Sequence, residues 1–174
     1  MGEMIRSGCA FGGAPGGWPR LTPGPRPARG CRVIPGRVWW NLIFVPWREY
    51  RASRAAGIQA PAPFLTAPGA PGMHFTDRQS LQGLLSPGDY AMRLSLPLPA
   101  QDECQRYGCV VIEFDVPAHI NVIVPSSYPG VTPGLTPGRA REWFLPGTLV
   151  LDENMVIYYI DTVGGMPGYF LLPL

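Results

Sequence analysis

From Cys109 onward, short apolar runs rich in β-branched and aromatic residues alternate with Pro, Gly, Ser and Asn. Residues 109–116, 120–124, 143–151, 155–160 and 169–172 have the length and composition of strands, and the breaks between them carry turn chemistry. This constrains the fold more than any other feature. Strands that follow one another through turn-type sequence pair as antiparallel neighbours, so the second half of the chain reads as an antiparallel β core.

The first half reads differently. Thr76 or Asp77 is a suitable N-cap for a helix over residues 78–85, with Leu81, Leu84 and Leu85 on one face. Ser86-Pro87-Gly88-Asp89 stops that helix, and residues 90–94 form a second short one, closed by Pro97 and Pro99. Residues 48–57 are either a short helix ending at Gly57 or the end of a strand that turns into a loop. Residues 38–47, with Trp39, Leu42, Phe44 and Trp47, read as a buried strand or a docking segment, and are about half as long as a bilayer span requires. Helices early and antiparallel strands late define the α+β class.

At 174 residues, 46% of them hydrophobic, the chain has room for one domain with a core and not for two. The load of 22 Gly and 22 Pro implies irregular segments as well. These concentrate in residues 1–37, which read as a disordered linker or tail ahead of a single domain over residues 38–174. Six Arg and one acid, Glu3, fall in residues 1–37; the remainder has eight Arg against eleven acids. The domain therefore lacks the basic footprint of a nucleic-acid binder. There is no Lys, a bias that fits GC-rich coding better than a phosphate-reading surface. Arg6 is not followed by a continuous apolar run, so no signal peptide is expected. The cysteines Cys9, Cys31, Cys104 and Cys109 do not have metal-ligand spacing, and no metal is expected. Free thiols are the default, with a Cys104–Cys109 disulfide as the alternative.

Candidate chemistry is confined to a few residues. There is no glycine-rich phosphate loop, no paired-His zinc helix and no nucleophile elbow. Glu142 stands at the mouth of the apolar run 143–151. Upstream lie Val110-Val111-Ile112-Glu113-Phe114-Asp115-Val116-Pro117 and Asn121-Val122-Ile123-Val124, and Glu142 itself opens Glu142-Trp143-Phe144-Leu145-Pro146-Gly147-Thr148. In order and spacing this resembles the C-terminal half of ADP-ribosyltransferase domains, particularly the toxin modules of bacterial polymorphic toxins. The resemblance spans residues 109–151, about a quarter of the chain.

The resemblance implies an ADP-ribosyltransferase-type fold and an NAD-dependent transfer of ADP-ribose to a macromolecular target. Glu142 matches the catalytic glutamate, which stabilises the positive charge of the sugar as the nicotinamide bond breaks. Thr76, ahead of the first helix, is the counterpart of the middle motif. The arginine that holds the NAD phosphates is Arg51 or Arg48, with Arg51 the better match. His74 and Tyr128 complete the NAD-contacting set. The position two before Glu142, often Glu or Gln where a protein side chain is the acceptor, is Ala140, a departure that puts the acceptor class and the activity in question. An immunity protein is the implied partner, and delivery into a target-cell cytoplasm the implied setting; without delivery the expectation is cytoplasmic. Two other readings stand beside this one: a non-enzymatic β-rich protein-interaction module, and a toxin of another chemistry, such as an RNase using His74 or His119. Glu113 and Asp115 read as solvent-facing.

Overall fold

The computed structural model describes residue 18 and residues 20–67, 69–125, 128–163 and 166–172. Its centre is strand β3 (Cys109–Asp115), buried along its length except at the last residue. β3 pairs on one side with β1 (Arg29–Pro35) and on the other with β5 (Val156–Val163), and β5 pairs in turn with β6 (Met166–Leu172). All these pairings are antiparallel. A second sheet consists of β2 (Gly72–Phe75) and β4 (Trp143–Pro146), also antiparallel. Mutual backbone hydrogen bonds between Cys31 and Thr76, at 2.7 and 2.9 Å, join the two sheets. The antiparallel core expected from the sequence is present, and helices and sheets together give an α+β arrangement.

Alternation along β3 sends side chains to two cores. Val110, Ile112 and Phe114 join the larger one, with Ile34, Trp39, Trp47, Phe75, Trp143 and Ile157. Cys109 and Val111 join the smaller one, with Cys31, Val33, Leu84, Tyr90 and Cys104. Covering both faces of the sheet makes Glu113 a buried residue, paired with Arg78 at 3.5 Å, instead of a solvent-facing one. Asp115 is exposed, as expected.

Several elements differ from the sequence expectation. β1 begins inside the segment read as a tail and contributes Cys31, Val33 and Ile34 to the cores; most of residues 1–28, including Cys9, lies outside the described residues. Residues 38–47 are helical, not a strand. The helical stretch opens as α1 (Gly36–Val38), widens to a π-helix over Trp39–Phe44, and continues as α2 (Val45–Ala55). Pro46 has no N–H, and its ring crowds the carbonyl four residues back. The helix accommodates it by widening, and the Val45 N–H donates to the Trp40 carbonyl five residues earlier. Trp39, Ile43 and Trp47, spaced by four, then fall on one buried face. α2 ends where Gly57 takes a left-handed φ of +74°, with Ile58 N–H donating to Ser53 O and Gly57 N–H to Arg54 O.

The expected helix over 78–85 is one tight turn, Gln79–Leu81, because Gln82 turns to extended backbone at ψ 140° and Gly83 follows at φ +76°. Ser86-Pro87-Gly88-Asp89 starts a helix instead of stopping one. Ser86 and Asp89 form a reciprocal capping box at the head of α3 (Pro87–Arg93). Pro97 and Pro99 likewise precede and open α4 (Leu98–Tyr107). Residues 120–124, expected as a strand, do not form one: Ile120 closes a turn onto Pro117 O, and the segment touches a strand only through the bridge of Ile123 to Phe144. Cys31, Cys104 and Cys109 are free thiols. Among the described residues no helix is long and apolar enough to cross a membrane.

The indole N–H groups of Trp39 and Trp47 are buried without a hydrogen-bond acceptor. Trp47→Ala should destabilise the fold by about 3–5 kcal/mol. Trp47→Phe removes the unsatisfied donor along with some volume, and should cost less than half as much in chemical denaturation.

Burial, reinforced by the Glu113 and Asp77 charges, pushes the Cys31 thiol well above its ordinary pKa of 9.0. Above about pH 9 the unfolded chain loses that proton while the folded one keeps it, so stability falls as pH rises. Cys31→Ala should flatten this alkaline slope in denaturation curves measured on either side of pH 9.

Candidate functional site

The small sheet builds the site. In its register His74 lies opposite Phe144, and Phe75 opposite Trp143. Met73, Phe75, Trp143 and Leu145 face the larger core. The alternate positions His74, Phe144 and, just before β4, Glu142 therefore share the other face, with His74 and Glu142 as a diagonal cross-strand pair. The His74 ring packs edge-on against Phe144 with centroids 5.1 Å apart. Its Nδ1 lies 3.1 Å from Glu142 Oε1. The Tyr128 hydroxyl donates to the same oxygen at 3.4 Å. Burial, then the charge and hydrogen bond of Glu142, raise the Tyr128 pKa above its ordinary value.

Glu142 is buried, with 7% of its surface exposed. Its second oxygen, Oε2, is enclosed and has no hydrogen-bond partner. A carboxylate oxygen in that position costs about 1–3 kcal/mol relative to a satisfied one. His74 by contrast exposes 53% of its side chain, so the pair runs from interior to solvent. Both residues line a cleft of about 50 Å³, together with Cys31, Thr76, Thr136, Arg141 and the apolar Val33, Phe75, Leu94 and Leu96.

A dense polar scaffold holds the segment that carries Glu142. Arg93, 2% exposed, donates from Nε to Ser80 O at 3.2 Å and from Nη1 to Gly138 O at 2.9 Å. Thr136 Oγ1 donates to Arg93 O and accepts from Ala140 N–H. Ser80 Oγ accepts from Arg141 N–H at 3.0 Å and donates to Asp77 Oδ1 at 2.7 Å. Arg141 Nη1 binds Asp77 Oδ2 at 2.8 Å and Gln79 Oε1 at 2.7 Å. The segment ahead of β1 lies against this scaffold: Arg141 Nε donates to Thr22 O at 2.8 Å, and the Arg93 guanidinium sits 5.2 Å over the Trp18 ring.

Of the residues singled out from the sequence, Glu142, His74 and Tyr128 meet at one point. Thr76 lines the cleft, but its hydroxyl is spent on Arg141 O at 2.6 Å, which makes it a tie between β2 and the Glu142 segment. Arg51 is an exposed residue of α2 and does not line the cleft. His119 is exposed and does not line it either. Ala140 is sealed inside the loop, its N–H and C=O both bonded to Thr136. Arg93, Ser80 and Thr136 are scaffold residues that the sequence did not mark; Asp77-x-x-Ser80 carried a partial signal, as a capping turn.

Among the described residues no group of three or more His, Cys, Asp and Glu side chains is placed to hold a metal ion. No known protein family, no curated protein and no solved structure matches the chain.

Arg93→Ala would leave the Ser80 and Gly138 carbonyls without their donor. It should cost about 2–4 kcal/mol and lower the thermal midpoint. Ser95→Ala, which removes a single acceptor of Gly138 N–H, should cost about 1 kcal/mol.

Proposed function

We propose that the cleft cleaves the nicotinamide–ribose bond of NAD, with Glu142 as the catalytic carboxylate of an ADP-ribosyltransferase-like enzyme. The observation that carries this reading is the state of Glu142. It is a buried carboxylate with one oxygen fixed by His74 and Tyr128 and the other unengaged. Breaking the bond to nicotinamide leaves an oxocarbenium-like sugar, and a fixed anion in a site with little water stabilises that charge more than water does. Nicotinamide departs as a neutral molecule, so one carboxylate suffices for this half of the reaction. The scaffold of Arg93, Thr136 and Ser80 holds the anion in place before substrate arrives.

The enclosed space, about 50 Å³, has room for a few water-sized groups. The scissile end of the dinucleotide is the part that would enter, with the rest lying across the open rim. The guanidinium that lines the cleft, Arg141, is committed to Asp77. Arg51 as a holder of the pyrophosphate, and the ADP-ribosyltransferase-type fold, therefore rest on the sequence resemblance, as do an immunity protein as partner and action in a target-cell cytoplasm. An RNA-cleaving toxin is the second reading, because a carboxylate–imidazole pair also suits proton transfer to and from a ribose hydroxyl.

Purified protein incubated with NAD should release nicotinamide. Glu142→Gln, which keeps the shape and removes the charge, should lower that release by at least about 100-fold without lowering the thermal midpoint. Degradation of RNA by the unmodified protein, with NAD left intact, would favour the second reading.

A further inference from the structure

The reading of Glu142 accounts for departure of nicotinamide and leaves open what takes the sugar. We propose that His74 is the general base for that second half, drawing the proton from a hydroxyl acceptor, water included. This rests on the NAD-cleaving reading above and extends it to the class of acceptor.

A carboxylate accepts hydrogen bonds and does not donate them, so the His74 nitrogen 3.1 Å from Glu142 Oε1 is the one that carries the proton. In the neutral ring the lone pair is then on Nε2. The His74 side chain is 53% exposed, while its partner Glu142 is buried, so the imidazole lies between the carboxylate and the solvent from which an acceptor approaches. Phe144, edge-on at 5.1 Å, limits how the ring can turn. A base held by a hydrogen bond from its far nitrogen to a fixed carboxylate is the general arrangement for activating a hydroxyl. The hydroxyl and guanidinium side chains lining the cleft are committed: Thr76 to Arg141 O, Thr136 to Arg93 O, and Arg141 to Asp77 and Gln79.

The step balances within these groups. The bond from the ribose anomeric carbon to the nicotinamide nitrogen breaks, and its electron pair leaves with neutral nicotinamide. The acceptor oxygen forms the new bond to that carbon, and its proton passes to His74 Nε2. The resulting imidazolium is stabilised by Glu142 Oε1 and later returns the proton to solvent. With water the products are ADP-ribose, nicotinamide and a proton; no redox partner is needed. Glu142 thus serves both halves, its charge stabilising the sugar and its Oε1 holding the base.

The test uses azide, a nucleophile that has no proton to lose. The full-length chain, His74→Ala, His74→Asn and Glu142→Gln are each incubated with NAD, with and without azide. Nicotinamide, ADP-ribose and ADP-ribosyl azide are then quantified, and melting curves confirm that each variant is folded. Asn at 74 can still donate a hydrogen bond toward Glu142 but has no basic nitrogen, so it separates proton transfer from positioning. Both His74 variants should lose water-dependent turnover by about 100-fold or more. Azide should restore nicotinamide release in both, with formation of the glycosyl azide, and should not restore it in Glu142→Gln. Full activity in His74→Asn, or losses that azide does not repair, would overturn the role of His74 while leaving NAD cleavage by Glu142 intact. Absence of nicotinamide release from the unmodified protein would overturn both.

Discussion

The Arg93 guanidinium is the interaction on which the site depends. It is buried at the end of α3, where it reaches the turn at Ser80 and the loop at Gly138 together. Through Ser80 and Thr136 the same network grips the backbone of Arg141 and Ala140, immediately ahead of Glu142. Burying a guanidinium is tolerated when its donors meet well-placed oxygens. Here those oxygens belong to the tight turn Gln79–Leu81 and to the irregular loop ahead of β4. The loop leading to Glu142 is held rigid by these side-chain hydrogen bonds together with backbone ones across the loop, Glu142 N–H to Gly134 O and Thr136 N–H to Ala140 O.

That rigidity gives the orphaned oxygen of Glu142 its meaning. In a loosely held loop a carboxylate would swing toward solvent to satisfy both oxygens. Glu142 stays enclosed with one oxygen unpaired, and the fold carries the cost. Stability given up at a fixed, unsatisfied group is a common mark of a site arranged for a ligand or a transition state. The pair of small and large sheets supports the same end. Core residues on one face of β2 and β4 anchor the sheet, and the alternation that buries them turns His74 and Glu142 to the opposite face.

The parts of this arrangement legible in the sequence were those set by local pattern. The β-branched run of β3 announces a strand, and Glu142 ahead of Trp143 announces a polar group at a strand mouth. Residues 38–47 were misleading because aromatic and β-branched residues favour strands, while the four-residue spacing of Trp39, Ile43 and Trp47 carried the helical signal. Proline was ambiguous in the same way. Pro87 and Pro99 open helices, since the first turn has no use for their missing N–H. Glu113 reads as solvent-facing when alternation leaves one face of the strand wet, whereas α3 and α4 cover that face. The meeting of His74 with Glu142 depends on a register between strands far apart in sequence, and no local pattern encodes that. The buried role of Arg93 was likewise invisible, because a lone arginine at a helix end reads as a favourable charge for the helix dipole.

The contact between Arg141 and the Thr22 carbonyl joins positions 119 residues apart. The early segment that lies against Arg93 and Arg141 thus meets a loop synthesised near the other end of the chain. Contacts of such separation are entropically costly to close and form after local structure has gathered. The anchor of Arg141, the residue next to Glu142, is thus expected to close late in folding, after the sheets and helices around it have gathered.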